Sequence, residues 1–360
     1  MPKRNLIVFI LVTVILSALV FFLFERKSEV DSSLTNSFVT NGKFDLKIGY
    51  ITDLHCYSKQ NSETGEWEMN WRCSQPLTNF VNMVNDVFKP DVVVEGGDLM
   101  DGRDDQERNI YPVVFDFFEK KLDYPRYHIL GNHETRGFLK EDWLELTNYE
   151  KPYYFKDVKN YRLIFLDGNN KINIQGTSVD TTPELHYYPG HLDPEQKEWL
   201  EQTLKTSADK NILVFVHQPP LEKTLIKNSS ELFVEGSALR KMFSEYQVKA
   251  VISGHIEEMC YVEEGGVVYY TLPGVHKVNR QLLEKDGFKD QGSFYQITVN
   301  KEQKLEIKMF HKDQEALEYQ SLVVNQETAV CNNQSIKNPE AYEILVEKQE
   351  KIEEENDDEK

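Results

Sequence analysis

Short apolar runs alternate with amphipathic segments through most of this chain, and this alternation limits the possible folds more than any other feature of the sequence. Residues 46–51 and 91–94 are predicted strands, whereas residues 76–88 carry apolar side chains at helical spacing. Strands that alternate with helices indicate a buried, largely parallel sheet, or two sheets with helices outside them. Three closing runs, at residues 267–272, 293–299 and 305–310, alternate in the way typical of antiparallel strands. We therefore expect an α/β fold with both kinds of strand.

Five polar clusters stand directly after predicted strands, where ligands bind in open α/β sheets. They are, in chain order, Asp53-x-His55, Gly97-Asp98-x-x-Asp101, Gly131-Asn132-His133-Glu134, His217 and Gly254-His255-x-Glu257. Each cluster alone has an ordinary structural explanation, such as a turn rich in Gly and Asp or a buried histidine. Together they supply carboxylate, amide and imidazole groups, which suit hard or borderline divalent metals. The sequence therefore predicts a metal centre at the strand ends.

The same motifs resemble those of the calcineurin-like metallophosphoesterase superfamily over about residues 44–310. Asp98-Leu99-Met100-Asp101 and His217-Gln218-Pro219-Pro220 resemble the bacterial class III phosphodiesterases in particular. The resemblance implies a four-layer α/β/β/α sandwich with two mixed sheets. It also implies two divalent metal ions, for which Mn, Fe and Zn all fit the ligand types, and a hydroxide bridging the ions that attacks a phosphoester.

The resemblance assigns a role to each of the clustered side chains. One ion would be bound by Asp53, His55 and Asp98. The second would be bound by Asp98, Asn132, His217 and His255, with Asp98 bridging the pair. His133 would protonate the leaving group, and Asp101 would orient its imidazole ring.

The last motif departs from the family pattern, because Glu257 stands where the superfamily has a histidine that completes the first metal site. A glutamate can also bind a metal ion, and we take Glu257 as a candidate ligand. Alternatively, Glu257 turns away and leaves a weak first site, or His276 contributes instead. Arg103 and Arg136 are candidate phosphate contacts, although arginines of solvated loops have the same appearance in a sequence. The polar segment 168–190 is either a lid over the site or an ordinary surface loop.

The N-terminal region contains an unbroken apolar stretch over residues 6–24, in which only Thr13 and Ser17 are polar. At about 1.5 Å per residue, a helix of this length nearly spans a hydrocarbon core of ~30 Å. We expect an uncleaved membrane anchor over residues 1–27 and a linker over residues 28–43; a cleaved signal peptide and a buried core helix are the alternatives. Because a short tail precedes the span and a large domain follows it, we expect a single-pass membrane protein with its main domain outside the cytoplasm.

The chain is strongly acidic, with 60 acidic and 41 basic residues and a formal charge of −19. This balance argues against nucleic-acid binding through phosphate neutralisation. Acidic residues are concentrated near the C-terminus, where we expect a solvated tail over residues 326–360, so that the phosphoesterase domain covers residues 44–325. A protein this acidic needs local cations to bind an anionic substrate, and bound metal ions would supply them.

Four cysteines, Cys56, Cys73, Cys260 and Cys331, are compatible with an oxidising compartment without proving one. They could form two disulfides in three possible pairings, and Cys56, which follows a motif histidine, could equally be a buried thiol. No Cys-x-x-Cys spacing is present, which argues against a zinc ribbon.

The sequence therefore predicts a membrane-anchored phosphoesterase that acts on a phosphodiester or a phosphomonoester, in a small molecule or a lipid headgroup. The main alternative is a membrane-tethered, catalytically impaired metal-binding scaffold, because Glu257 alters the last motif. A metal sensor is a third candidate. His133 and Asp101 favour the enzyme, since a scaffold needs no leaving-group acid. The sequence does not indicate an oligomeric state.

Overall fold

The computed structural model describes residues 44–56, 58–61, 64–65, 67–69, 71–102, 111–137, 139–172, 177–182, 189–221, 232–256, 259–274, 290–313 and 319–325. The predicted anchor (1–27), linker (28–43) and acidic tail (326–360) lie outside these residues, as do Arg103, Glu257 and His276. Within the described ranges, no helix combines the length and the apolar character needed to cross a bilayer.

Strands and helices alternate through most of the described chain. The strands are β1 (Phe44–Ile51), β2 (Ser58–Gln60), β3 (Trp67–Met69), β4 (Val92–Glu95), β5 (Arg126–His128), β6 (Tyr154–Val158), β7 (Tyr161–Leu166), β8 (Asn170–Ile172), β9 (Ser178–Asp180), β10 (Asn211–Val216), β11 (Ala250–Ser253), β12 (Cys260–Glu264), β13 (Val267–Thr271), β14 (Asp290–Asn300), β15 (Leu305–Asp313) and β16 (Tyr319–Val324). The helices are α1 (Trp71–Asn82), which continues as a π-helical stretch (Met83–Phe88), α2 (Tyr111–Lys121), α3 (Asn132–Gly137), α4 (Lys140–Thr147), α5 (Pro194–Lys205) and α6 (Gly236–Glu245).

Two six-stranded sheets form the framework of the molecule. The first has the order β16-β15-β14-β1-β4-β5, in which β1, β4 and β5 are parallel and β14 to β16 are antiparallel. The second has the order β12-β13-β11-β10-β7-β6, in which the four inner strands are parallel and the edge strands β6 and β12 are antiparallel. The expected α/β fold with two mixed sheets is confirmed.

Residues 267–272 were expected to form a strand with antiparallel neighbours, and this prediction is wrong for one of the two neighbours of β13. β13 is antiparallel to β12 but parallel to β11. The turn between β12 and β13 contains Gly265 and Gly266, which have φ of 60° and 79°, the left-handed region that tight hairpin turns require. This turn reverses the chain, so that β13 returns in the direction of β11. For β14 and β15, which pair with each other, the antiparallel expectation is confirmed.

Apolar side chains of the second sheet point alternately to its two faces. Leu163 and Phe165 of β7 share a core cluster with Tyr50 of β1, so they fill the space between the two sheets. Ile164 and Leu166 point the other way, into a cluster with residues of α5 and α6. Helices α1 and α2 pack in the same manner on the outer face of the first sheet. The layers therefore follow one another as helices, sheet, sheet and helices, and the buried parallel strands deliver their carboxyl-terminal loops to one place.

A disulfide between Cys56 and Cys73 joins the segment after β1 to helix α1. Because Cys56 is disulfide-bonded, it is not the buried free thiol that the sequence also allowed. Both cysteines are buried. Cys260, at the start of β12, is also disulfide-bonded, whereas Cys331 lies outside the described residues.

Candidate metal centre

The loops that follow β1 and β4 lie side by side and bring Asp53, His55 and Asp98 together. The backbone N–H groups of Asp53 and His55 donate to the carbonyl oxygens of Gly97 and Asp98, each at 2.9 Å. Asp53, His55 and Asp98 have left-handed backbone conformations, with φ of 50°, 45° and 56°. Such conformations are uncommon outside glycine and cost of order 1–3 kcal/mol each. The hydrogen bonds between the loops hold these strained residues in place, and strain of this kind concentrates at functional sites.

Asp53, His55 and Asp98 form a first group that could hold a metal ion. The Nε2 atom of His55 lies 3.8 Å from Asp53 Oδ1 and 3.8 Å from Asp98 Oδ2. The Asp53 carboxylate accepts the N–H of His255 at 3.1 and 3.2 Å and the hydroxyl of Thr52 at 2.6 Å. These hydrogen bonds orient the Asp53 carboxylate. Burial opposes its charge, but His217 and His55 lower the pKa of Asp53, so it stays ionised for a cation.

Asp98, His217 and His255 form a second group, and Asp98 therefore belongs to both. The Nε2 atom of His217 lies 3.0 Å from Asp98 Oδ2, and its Nδ1 is 2.9 Å from the carbonyl oxygen of Gly96, which fixes the proton on Nδ1. Within the described residues, and apart from the contacts of His217 Nε2 with the carboxylates of Asp98 and Asp53, three atoms are buried without a hydrogen-bond partner: Asn132 Oδ1, His217 Nε2 and His255 Nε2. Buried polar atoms are rarely left in this state, and one bound cation would satisfy all three. The residues therefore fit a pair of cations that share Asp98.

Electrostatic interactions in this centre favour cations. Burial disfavours the charge of Asp98, but His217 and His133 hold its pKa well below its usual range. Burial also opposes protonation of His217, yet Asp98 and Asp53 raise its pKa to about 10. Burial and the neighbouring His217 lower the pKa of His255 to about 3. A proton on His217 thus supplies part of the positive charge that the carboxylates require, and metal binding would release it.

His133 lies beside these two groups, between Asp98 and Asp101. Its Nδ1 atom is 2.5 Å from the carbonyl oxygen of Asp101 and 3.4 Å from the Asp101 carboxylate, so the carbonyl is the closer partner. Nδ1 therefore carries a proton, and Nε2 faces the centre, 3.8 Å from Asp98 Oδ2. Burial disfavours the imidazolium, but Asp98 and Asp101 raise the pKa of His133 to about 9. A cation bound to Asp98 would weaken this attraction and lower that value.

Of the two candidate phosphate contacts, Arg103 and Arg136, only Arg136 lies within the described residues. It lies on α3, one turn after His133, and its Nη1 atom is 3.3 Å from His133 Nδ1 and 3.5 Å from His133 Nε2. The side chain is half-buried. The guanidinium group of Arg136 therefore lies against the His133 ring.

Glu134 is a buried carboxylate to which the sequence alone assigned no role. Its Oε1 accepts the N–H groups of Leu99 and Met100 at 2.7 and 3.2 Å, and its Oε2 accepts those of Asp98 and Gly131 at 3.0 and 2.8 Å. Burial and the charge of Asp98 raise the pKa of Glu134 to about 8. The four N–H donors nevertheless favour the ionised form of Glu134, because an ionised carboxylate can accept all four hydrogen bonds. Cations bound at Asp98 would favour the ionised form further. The sequence signal for this residue is its position at the end of the third polar cluster.

All of the candidate site residues that the structure describes lie together in this centre. They are Asp53, His55, Asp98, Asp101, Asn132, His133, Arg136, His217 and His255. Glu257 and Arg103 lie outside the described residues, and their roles stay predictions. The described part of segment 168–190 contains the antiparallel pair of strands β8 and β9.

Comparison with known proteins identifies the family and the fold of this chain. A family model, the calcineurin-like phosphoesterase, matches residues 46–258. A probable glycerophosphodiester phosphodiesterase of Arcobacter nitrofigilis is 28% identical over 58% of this chain and 71% of that protein. A cAMP/cGMP dual specificity phosphodiesterase of Mycobacterium tuberculosis is 25% identical over 59% of this chain and 62% of that protein. A dimetal phosphatase from Danio rerio has a similar fold, with a TM-score of 0.54 and 18% identity over 78% of this chain and all of that one.

Proposed function

We propose that this chain, which belongs to the calcineurin-like phosphoesterase family, hydrolyses phosphodiesters at a centre of two divalent metal ions. It is a hydrolase of phosphoester bonds, and two divalent cations are its cofactors. The observation that carries the proposal is the position of Asp98 Oδ2, which lies 3.8 Å from His55 Nε2 and 3.0 Å from His217 Nε2. One carboxylate thus joins two of the three side-chain groups that could hold a metal ion.

The two cations would be held by different residues around the shared Asp98. Asp53 and His55 would complete the first group, and Asn132, His217 and His255 the second. When bound, such a pair of cations lowers the pKa of water and withdraws charge from a phosphate oxygen. The protein keeps the ligands buried and orients them through their hydrogen bonds, as second-sphere contacts do in other metal sites.

His133 would protonate the leaving group. Because its Nδ1 donates to the Asp101 carbonyl, the proton that moves is the one on Nε2, which faces the centre. Asp101 acts as a positioning residue through that carbonyl, and its carboxylate at 3.4 Å favours the charged ring. Arg136 would contact the phosphate from the same side and balance its negative charge.

Two curated relatives are named for phosphodiester substrates, which supports a diester over a monoester. The experiment is hydrolysis of bis-p-nitrophenyl phosphate and p-nitrophenyl phosphate by the purified full chain with added Mn²⁺. We expect the diester to be the better substrate and His217→Ala to lower its hydrolysis at least 100-fold. His191→Ala is the matched control, since this buried histidine lies 2.9 Å from Glu235 and belongs to neither metal group.

The alternative of a metal-binding scaffold has a distinct result in the same experiment. A chain that binds two Mn²⁺ ions and hydrolyses neither ester would be that scaffold. A chain that fails to bind two ions would overturn the two-metal proposal itself. Hydrolysis of the monoester alone would overturn the preference for diesters.

Glu257 remains our proposed additional ligand of the first ion. Glu257→His would restore the family motif, and we expect it to retain or raise two-ion occupancy. Loss of one ion in this variant would contradict the ligand role of Glu257.

Residues 1–27 remain a proposed membrane anchor that would place the enzyme outside the cytoplasm. Protease accessibility of the main domain in intact cells tests this location, and full protection would contradict it.

A further inference from the structure

The side chain of Asn169 connects two of the loops that carry proposed ligands of the second ion, the loops of Asn132 and His217. Its Nδ2 atom donates to the carbonyl oxygen of Leu130 at 2.7 Å. Its Oδ1 atom accepts a hydrogen bond from Gln218 Nε2 at 2.9 Å. Asn169, Leu130 and Gln218 are each at most 1% exposed, so water does not compete for these hydrogen bonds.

The two bonded loops come from different sheets. Leu130 follows β5 of the first sheet and lies two residues before Asn132, whereas Gln218 follows β10 of the second sheet and is the residue directly after His217. Asn169 itself follows β7 of the second sheet. The Asn169 amide therefore links the two sheets next to Asn132 and His217 in the sequence, through Leu130 and Gln218.

The orientation of this amide is fixed by its neighbour Asp167. One carboxylate oxygen of Asp167 accepts the backbone N–H of Asn169 at 2.8 Å and its Nδ2 at 3.0 Å. The other accepts the buried ammonium group of Lys140 at 2.6 Å. Lys140 is only 6% exposed and also contacts Asp180 at 2.6 Å and Asn170 at 3.0 Å. Asp167 thus holds the Asn169 amide directly, and the ion pair with Lys140 balances the charge of Asp167.

We propose that Asn169 is a positioning residue that sets the separation of Asn132 and His217, and through it the affinity for the second metal ion. This inference rests on the two-metal centre of the proposed function. Hydrogen-bond partners behind metal ligands typically change metal affinity about 10- to 100-fold when they are removed. We therefore expect Asn169→Ala to weaken the binding of the second ion by this factor and to leave the affinity for the first ion unchanged.

Asn170→Ala is the matched control. Asn170 is the next residue, is equally buried, and loses the same atoms in the substitution. Its hydrogen bonds go to Lys140 and to the carbonyl oxygen of His191, and neither belongs to a loop that carries a candidate ligand. A general loosening of the fold would affect both variants, whereas a positioning effect is confined to Asn169.

The measurement is Mn²⁺ binding to the full chain by equilibrium dialysis, on two backgrounds that each keep one ion. On His55→Ala, which retains the second group, Asn169→Ala should raise the Kd about 10- to 100-fold. On His217→Ala, which retains the first group, the same change should leave the Kd within twofold. Thermal unfolding without metal verifies that each variant is folded.

Equal Kd values with and without Asn169→Ala on the His55→Ala background would overturn the inference. An equal loss on both backgrounds, or in Asn170→Ala, would overturn it as well. If Asn169→Ala does not fold, Gln218→Leu removes one of the two hydrogen bonds of the Asn169 side chain. This variant should still weaken the binding of the second ion more than that of the first. A wild-type chain that does not bind two ions would instead contradict the proposed function.

Discussion

The backbone N–H of His133 donates a hydrogen bond to Asp98 Oδ1 at 2.8 Å, while the ring Nε2 of the same histidine lies 3.8 Å from Asp98 Oδ2. The main chain of the proposed acid therefore holds one oxygen of the proposed bridging carboxylate. Oδ2 is the oxygen that faces His55 and His217. Substitution of the His133 side chain leaves the backbone donor in place, so metal binding and proton donation can be separated by mutation.

His133→Ala should lower kcat for a diester about 10²- to 10⁴-fold, the usual contribution of a general acid, with two Mn²⁺ ions still bound. The loss should be larger for an alkyl ester than for a p-nitrophenyl ester, because p-nitrophenolate leaves without protonation. The measurement is kcat for both esters together with the metal content. A loss of one ion, or an equal loss of rate for both esters, would show that His133 has another role.

Glu134→Gln should weaken metal binding and lower stability. The amide keeps one oxygen for two of the four N–H donors, but its NH₂ group then faces the other two. Each buried donor left without an acceptor costs about 1–3 kcal/mol. We expect a loss of about 2 kcal/mol or more in the free energy of unfolding by urea at pH 9, above the Glu134 pKa of about 8. An unchanged free energy would mean that Glu134 is protonated and already leaves a donor unpaired.

Loss of the disulfide should destabilise the loop that carries His55. Cys56 and Cys73 are 17 residues apart, and closing a loop of this size contributes about 3 kcal/mol by the chain-entropy model. The double variant Cys56→Ser and Cys73→Ser should lose stability of this order in urea unfolding while the second disulfide, at Cys260, stays intact. A change below about 0.5 kcal/mol would show that the reduced chain is already ordered in this region.

The sequence predicted the strand ends and the polar clusters because both depend on local pattern. Asp53, Asp98 and His217 follow apolar runs, and parallel strands bring such ends together. Helix α1 was predicted to end at Phe88, before Pro90, and the π-helical stretch does end there, although the helix begins at Trp71 rather than at residue 76.

Contacts between distant loops could not be read from the sequence. Asn169 bonds to Leu130 and Gln218, which are 39 and 49 residues away, and nothing in its neighbours indicates these partners. Four cysteines likewise allow three pairings, and the packing of α1 against the β1 loop decides which one forms. Side-chain roles that depend on tertiary packing therefore required the structure.

Glu119 should make the stability of the protein depend on pH below about 5. Its carboxylate pairs with Arg126 at 2.7 and 2.8 Å and lies 3.3 Å from His128, which also faces Glu95 at 3.3 Å. The hydrogen bond to His128 and the pairing with Arg126 lower the pKa of Glu119 from 4.5 to about 2, against the effect of burial. A carboxylate whose pKa is depressed in the folded state adds stability above its unfolded pKa, and that stability is lost as the pH falls through 4.5 towards 2.

Glu119→Gln should therefore be less stable than the wild type at pH 6, and the difference should shrink as the pH falls to 3. Since the carboxylate is about one-third exposed, solvent screening reduces the expected change to roughly 1 kcal/mol. Urea unfolding at pH 6, 4.5 and 3 measures it. Glu201→Gln, which breaks the exposed pair of Glu201 with Lys205 on α5, is the matched control and should show almost no such trend. A constant difference between wild type and Glu119→Gln over this range would mean that Glu119 stabilises the fold by packing rather than by charge.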